Sequence, residues 1–104
     1  MVKITNTSIE LTRGDSLRVK LNLNGYALQD GDVIKWGAKS TYSDAECVIE
    51  KVIPNDTLEL YLTPSDTKSL DYGTYVWDCQ ITFANGDVNT FITKAKLKIT
   101  EEVV

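Results

Sequence analysis

The chain has 104 residues, 42% of them hydrophobic types and 25% charged, which is the balance of one soluble globular domain over 1–104 that needs neither a disulfide nor a metal to hold its core. Eleven basic against fifteen acidic residues leave a net charge of −4 with the lysines scattered, which argues against nucleic acid as a partner. No apolar run approaches the roughly 20 residues of a membrane span, and the absence of histidine removes the commonest general base, zinc ligand and partner of a nucleophile, so neither a membrane protein nor an enzyme is expected.

Met1–Lys3 is not followed by the apolar core of a signal peptide, so the chain reads as non-secreted. A short strand, Ile9 to Leu11, is followed by the turn-prone Thr12-Arg13-Gly14-Asp15. Leu17, Val19, Leu21 and Leu23 then alternate with Ser16, Arg18, Lys20 and Asn22, the period of two of a half-buried strand. Asn24-Gly25 and Asp30-Gly31-Asp32 break the pattern, and Ile34, Trp36 and Ala38 resume it on one face. Thr41 to Glu46 reads as a loop. In the next strand Cys47, Ile49 and Ile53 are expected to face the core and Glu50 the solvent.

Pro54-Asn55-Asp56 ends that strand, and Leu58, Leu60 and Leu62 are expected inward on the following one. One short helical turn is predicted near 64–70, with Thr63 as cap, Pro64 at the first helical position and Asp66 in the first turn. Tyr75, Trp77, Cys79, Ile81 and Phe83 alternate with Thr74, Val76, Asp78, Gln80 and Thr82 to give the best-patterned strand. Asn85-Gly86 is a strong hairpin signal, because a tight turn needs positive φ. Val88 to Ile92 is the return arm. Lys94 to Thr100 closes the domain with Ala95, Leu97 and Ile99 inward, and Lys94, Lys96 and Lys98 outward as blunting of an edge strand.

Seven or eight short strands with regularly spaced turns predict an all-β fold, an immunoglobulin-like antiparallel sandwich, with a small barrel as the alternative. Leu70 to Trp77 resembles the tyrosine corner of such domains, with Tyr75 returning its hydroxyl to upstream backbone. Trp77 stands where antibody domains carry their second cysteine, so Trp77 and Trp36 are expected to fill that volume. The expected core includes Leu17, Val19, Trp36, Leu60, Tyr75, Trp77 and Ile81. Cys47 and Cys79 are read as buried thiols, with a single bridge between them left as the alternative.

The possible sites each have a plainer reading. Arg13-Gly14-Asp15 spells an integrin-binding tripeptide, but Gly14 permits positive φ and Asp15 suits the turn backbone. Asp30-Gly31-Asp32 and Asn85-Gly86-Asp87 look like pieces of calcium loops but supply too few oxygens, and read as turns. Asp66, Asp71 and Asp78 are assigned capping or solvated roles, and Asn6-Thr7-Ser8 is a glycosylation sequon without a secretory context. Tyr26, Tyr42 and Tyr72 in predicted loops form the expected contact surface, since tyrosine supplies amphipathic area at low entropic cost.

Three segments taken together, Leu11 to Ser16, Leu62 to Leu70 and Gly73 to Ile81, resemble the small N-terminal β-sandwich of phage baseplate upper proteins and of related prophage tail or neck proteins of Gram-positive bacteria. The shared pattern is an Arg-Gly-Asp turn, a Pro-x-Asp-Thr-x-x-Leu turn of helix, and Gly-x-Tyr-x-Tyr-Asp, here with Trp77 in place of the second tyrosine. The resemblance implies a virion structural protein assembled in the bacterial cytoplasm, with other phage structural proteins as partners, a homo-oligomer in the manner of tail rings, and no cofactor and no catalysis. With the sequence ending at Val104, the long C-terminal region of the baseplate proteins has no counterpart, so tail, neck and head-decoration roles are equally compatible. The alternative is a carbohydrate- or cell-wall-binding module that stacks sugars on Tyr26, Tyr42 or Tyr72, which binding to a glycan array would reveal.

Overall fold

A computed structural model describes residues 3–5, 8–21, 23 and 26–103, without the side chains of 3–5 and 94. The expected break at Asn24-Gly25 and the Asn6-Thr7 part of the sequon lie outside the described residues. Eight strands and one helix follow in order: β1 (Lys3–Thr5), β2 (Ser8–Thr12), β3 (Leu17–Lys20), β4 (Val33–Lys39), β5 (Ile49–Ile53), β6 (Glu59–Leu62), α1 (Pro64–Lys68), β7 (Gly73–Thr82) and β8 (Val88–Thr100). They form a six-stranded sheet in the order β1-β2-β8-β7-β4-β5 and a two-stranded ribbon, β3-β6. The architecture is an all-β sandwich-like fold in which every pairing is antiparallel except β2 with β8, which run parallel with Ile9 beside Leu97 and Leu11 beside Ile99.

Side-chain alternation decides which face of each strand is buried. Ile34, Trp36 and Ala38 of β4 stand in register with Ile81, Cys79 and Trp77 of β7, and all six are buried. Leu17 on β3 and Leu60 and Leu62 on β6 close over them. Val19 is half-buried at the margin of this core, although it continues the alternation from Leu17, because only a two-stranded ribbon covers the larger sheet. The indoles of Trp36 and Trp77 lie 5.8 Å apart between ring centroids. Trp77 donates Nε1–H to the Lys96 carbonyl at 3.0 Å, whereas the fully buried Nε1 of Trp36 has no acceptor among the described residues.

Several local expectations are corrected. Among the described residues β3 ends at Lys20 and its alternation does not reach Leu23 as strand, because its partner β6 ends its register at Glu59. Leu58 is not an inward strand residue. It adopts φ 53° and closes a turn in which its N–H donates to the Pro54 carbonyl at 2.8 Å, so β6 starts one residue later. Cys47 precedes β5 and lies on the outer face, where its Sγ would stand 3.0 Å from a Cβ at Gly37, so only the bare glycine leaves it room. Both thiols are free and the buried Cys79 is pushed up to about 12, chiefly by burial.

β8 is a single strand from 88 to 100 with two register shifts opposite Trp77–Gln80, and it lies between β2 and β7. Lys96 and Lys98 are exposed on its outer face but guard no edge; Lys98 pairs with Glu10 at 4.0 Å, and the Lys94 side chain lies outside the described residues. An inward-pointing charge is found instead on the true edge strand β5, where Lys51 reaches Asp66 of α1 at 2.8 Å. The hairpin falls at Asn85-Gly86, but as a longer loop. Gly86 alone takes positive φ (95°) there, and its N–H donates to the Phe83 carbonyl at 2.9 Å while the Phe83 N–H donates to the Asp87 carbonyl at 2.8 Å. This is a three-residue connection with a left-handed glycine, which matches the strand twist without forcing asparagine into positive φ.

Candidate docking cleft at the hairpin end

The strand directions put the connections at two opposite ends. Among the described residues the hairpin end collects 21, 23, 26–32, 54–58 and 83–87; the helix end collects 13–16, 40–48, 63–72 and 101–103. The two differ in how completely they satisfy their own polar and apolar groups.

At the helix end the 13–16 turn is bound to the segment that carries α1. Gly14 N–H donates to Thr67 Oγ1 at 2.9 Å, with the Thr67 side chain fully buried. Arg13 donates from Nε and Nη2 to Glu102 Oε1 at 3.2 and 2.9 Å and from Nη1 to the Leu70 carbonyl at 3.3 Å, and its guanidinium lies 4.4 Å from the Tyr72 ring centroid. The Arg-Gly-Asp arginine is therefore engaged within the fold. Lys68 Nζ reaches Glu102 Oε2 at 2.8 Å, and the Lys68 and then the Arg13 hydrogen bonds hold that carboxyl below its usual range. Asp66 caps α1, accepting from the Thr63 N–H at 2.7 Å and hydroxyl at 3.0 Å. Tyr75 donates its hydroxyl to the Asp71 carbonyl at 2.8 Å, the geometry of a tyrosine corner.

At the hairpin end one carboxylate fastens the loops. Asp32 is buried, yet it accepts from Tyr26 Oη at 2.8 Å, Gln29 N–H at 2.9 Å and Ala84 N–H at 3.1 Å, and its own carbonyl accepts from Asn55 Nδ2 at 2.7 Å. The Gln29 N–H first, and then the Tyr26 hydroxyl, hold the Asp32 carboxyl below its ordinary value against the opposing effect of burial. Gly31, at φ 91°, lets the 26–32 segment pass close over the hairpin, since a Cβ there would stand 3.0 Å from that of Ala84. In sequence Asp30-Gly31-Asp32 reads only as a turn. The signal available was an aspartate between a loop and a strand, and nothing local revealed that three connections converge on it.

This fastening leaves an apolar cleft of about 490 Å³ between the first loop and the β7–β8 hairpin. Its walls are Leu23 and Tyr26 on one side and, on the strands, Ile81, Phe83, Phe91 and Ile92, with Asn89 as the polar member. The ribbon β3-β6 stops short of this end, so the inner face of β7 and β8 is uncovered there. Tyr26 packs edge-on against Phe83, with centroids 5.8 Å apart and planes at 77°. With its hydroxyl held by Asp32 and its ring held by Phe83, Tyr26 is a fixed wall.

The three tyrosines predicted as contact surface do not share a face. Tyr26 borders the cleft, Tyr72 lies under Arg13 at the opposite end, and Tyr42 sits on the outer sheet face with Lys96 Nζ 5.4 Å from its ring centroid. Tyr42, Cys47 and Val76 border a second, smaller cavity of about 100 Å³ there. Among the described residues, no group of three or more acidic or cysteine side chains is placed to hold a metal ion, and no helix is long and apolar enough to cross a membrane. No protein-family model, no curated protein and no solved structure matches the chain.

Proposed function

We propose that this chain is a non-catalytic structural protein of a phage or prophage particle, in its tail, baseplate, neck or head decoration, and that it acts through protein–protein contacts. The observation that carries the reading is the apolar cleft with its fixed aromatic wall, the kind of concave anchor site around which protein interfaces concentrate their binding energy. The lack of histidine in the whole chain and the particle-protein resemblance of its three segments point the same way.

The test is to purify particles from the source strain, with induction where the gene lies in a prophage, and to search their peptides for this chain by mass spectrometry. A fixed ratio to known tail or capsid proteins is expected. Absence from intact particles overturns the phage assignment.

A further inference from the structure

Two cations converge on one carboxylate at the helix end. From the way they are held we infer that Arg13, Gly14 and Lys68 form a carboxylate-binding cradle, filled in this structure by the chain's own Glu102 and able to take the carboxylate of a ligand in its place. The site goes beyond the assembly reading and does not rest on it.

The cradle is built without Glu102. Gly14 N–H donates to the buried Thr67 Oγ1 at 2.9 Å, which fixes the 13–16 turn against α1 and so sets Arg13 beside Lys68. Two further contacts orient the guanidinium: Nη1 donates to the Leu70 carbonyl at 3.3 Å, and Cζ lies 4.4 Å from the Tyr72 ring centroid. The remaining edge is left for the carboxylate, with Nε and Nη2 donating to Glu102 Oε1 at 3.2 and 2.9 Å and Lys68 Nζ to Oε2 at 2.8 Å. Each oxygen thus has its own cation. Gly14, at φ 87°, keeps the space between them open, since a Cβ there would stand 3.3 Å from both Glu102 Oε2 and Lys68 Cδ.

The occupant is held less firmly than the cradle. Among the described residues, 101–103 follow the last strand and make no hydrogen bond or ion pair except through the Glu102 carboxylate, and Val103 is exposed. The Arg13 and Lys68 side chains are 26% and 61% exposed, so lifting Glu102 out breaks no backbone pairing and costs only two screened ion pairs. The fork and ammonium left behind keep their places, because Thr67, Leu70 and Tyr72, all neutral, still hold the turn and the guanidinium. An open groove of about 350 Å³, bordered by Tyr72, Gly73, Lys98 and Thr100, adjoins the cradle at Tyr72 and gives an extended segment room beside its acidic side chain.

The experiment uses the isotope-labelled full chain carrying Glu102→Ala, which empties the cradle, and follows the Gly14 amide and Arg13 Nε–H signals by NMR. One probe is sodium acetate, with sodium chloride at equal ionic strength as its control. The other is the capped 100–104 peptide carrying Glu101→Gln, which has one carboxylate, with the same peptide carrying Glu102→Gln as well as its control. Acetate and the single-carboxylate peptide are expected to shift both signals saturably, and the two controls are not. The midpoint is expected to rise at least about threefold in the wild type, where Glu102 keeps at least about two-thirds of the cradles filled. Combined with Glu102→Ala, Lys68→Gln at an exposed helix position, or Arg13→Lys, which keeps the charge and loses the fork, is expected to weaken acetate at least about fivefold with distant amides unmoved. A lower midpoint for the peptide than for acetate assigns the carboxylate to a protein segment, and the reverse order assigns it to a small organic acid. The absence of saturable shifts, controls that act like the probes, equal midpoints in the wild type and Glu102→Ala, or midpoints unmoved by Lys68→Gln and Arg13→Lys would each overturn the site.

Discussion

The two ends of the sandwich are built from the same kinds of connection and reach opposite outcomes. At the helix end Arg13, Lys68, Glu102, Lys51 and Asp66 pair with one another, Tyr72 is covered by a guanidinium, and Tyr75 is bonded to the Asp71 carbonyl. At the hairpin end a single buried carboxylate satisfies the loop backbone, and an apolar cleft with an aromatic wall is left facing solvent. The difference separates stability from recognition. The helix end ties its segments together through ion pairs and hydrogen bonds, whereas the hairpin end keeps ordered apolar surface open to solvent, the kind of patch that marks an interaction site.

The largest expected effect falls on the core that both ends share. Trp36→Ala and Trp77→Ala should each cost about 3 to 5 kcal/mol by leaving a cavity, measured by denaturant unfolding. The milder Trp36→Phe should cost less than Trp77→Phe, by about 1 kcal/mol, because only Trp77 loses a hydrogen bond, its donation to the Lys96 carbonyl.

Next comes Asp32→Ala, which should lower the thermal midpoint and speed amide exchange at Gln29 and Ala84 while leaving Gly14 protected. If Gly14 is deprotected equally, the two ends are not separable units. The same carboxylate has a pH signature. Its value is lowered in the folded state, so its contribution is fully present above the ordinary carboxyl range and is lost as pH falls below about 4. Wild-type stability should therefore decline more steeply with acid than that of Asp32→Ala.

Tyr75→Phe probes the opposite end and should cost about 1 kcal/mol, with faster exchange confined to the helix end. The smallest effect is expected from Glu102→Gln, which removes two ion pairs at partly exposed positions and should shift the midpoint only at low salt. A salt-independent loss there would mean that Arg13 and Lys68 act through packing and not through charge.

Much of the strand framework is legible in the residues. β4 and β7 alternate so cleanly that the period of two alone assigns Ile34, Trp36, Ala38, Tyr75, Trp77, Cys79 and Ile81 to the inward face, and all are buried. The position of α1 follows from Thr63, Pro64 and Asp66, and the Tyr75 hydroxyl from the corner pattern around it. The errors lie where a residue's role depends on a distant neighbour. Cys47 fits an alternating strand in sequence but is drawn over Gly37 on the outer face, Leu23 lacks a ribbon partner, and the lysines of β8 are exposed beside strands instead of guarding an edge.

The candidate site is least legible of all. In sequence Tyr26 is one of three loop tyrosines of equal standing, and its separation from Tyr42 and Tyr72 follows only from where each loop lands. The sequence by itself determined the all-β class, the inward face of most strands and the local caps and turns, because a period of two, a proline or a glycine acts within a few residues. Only the tertiary structure decided that β8 lies inside the sheet, that three connections meet on Asp32, and that an apolar cleft stays open at the hairpin end. Those outcomes depend on which strands become neighbours and how far a covering ribbon extends, and such non-local pairings are set by the packing of the assembled sheets.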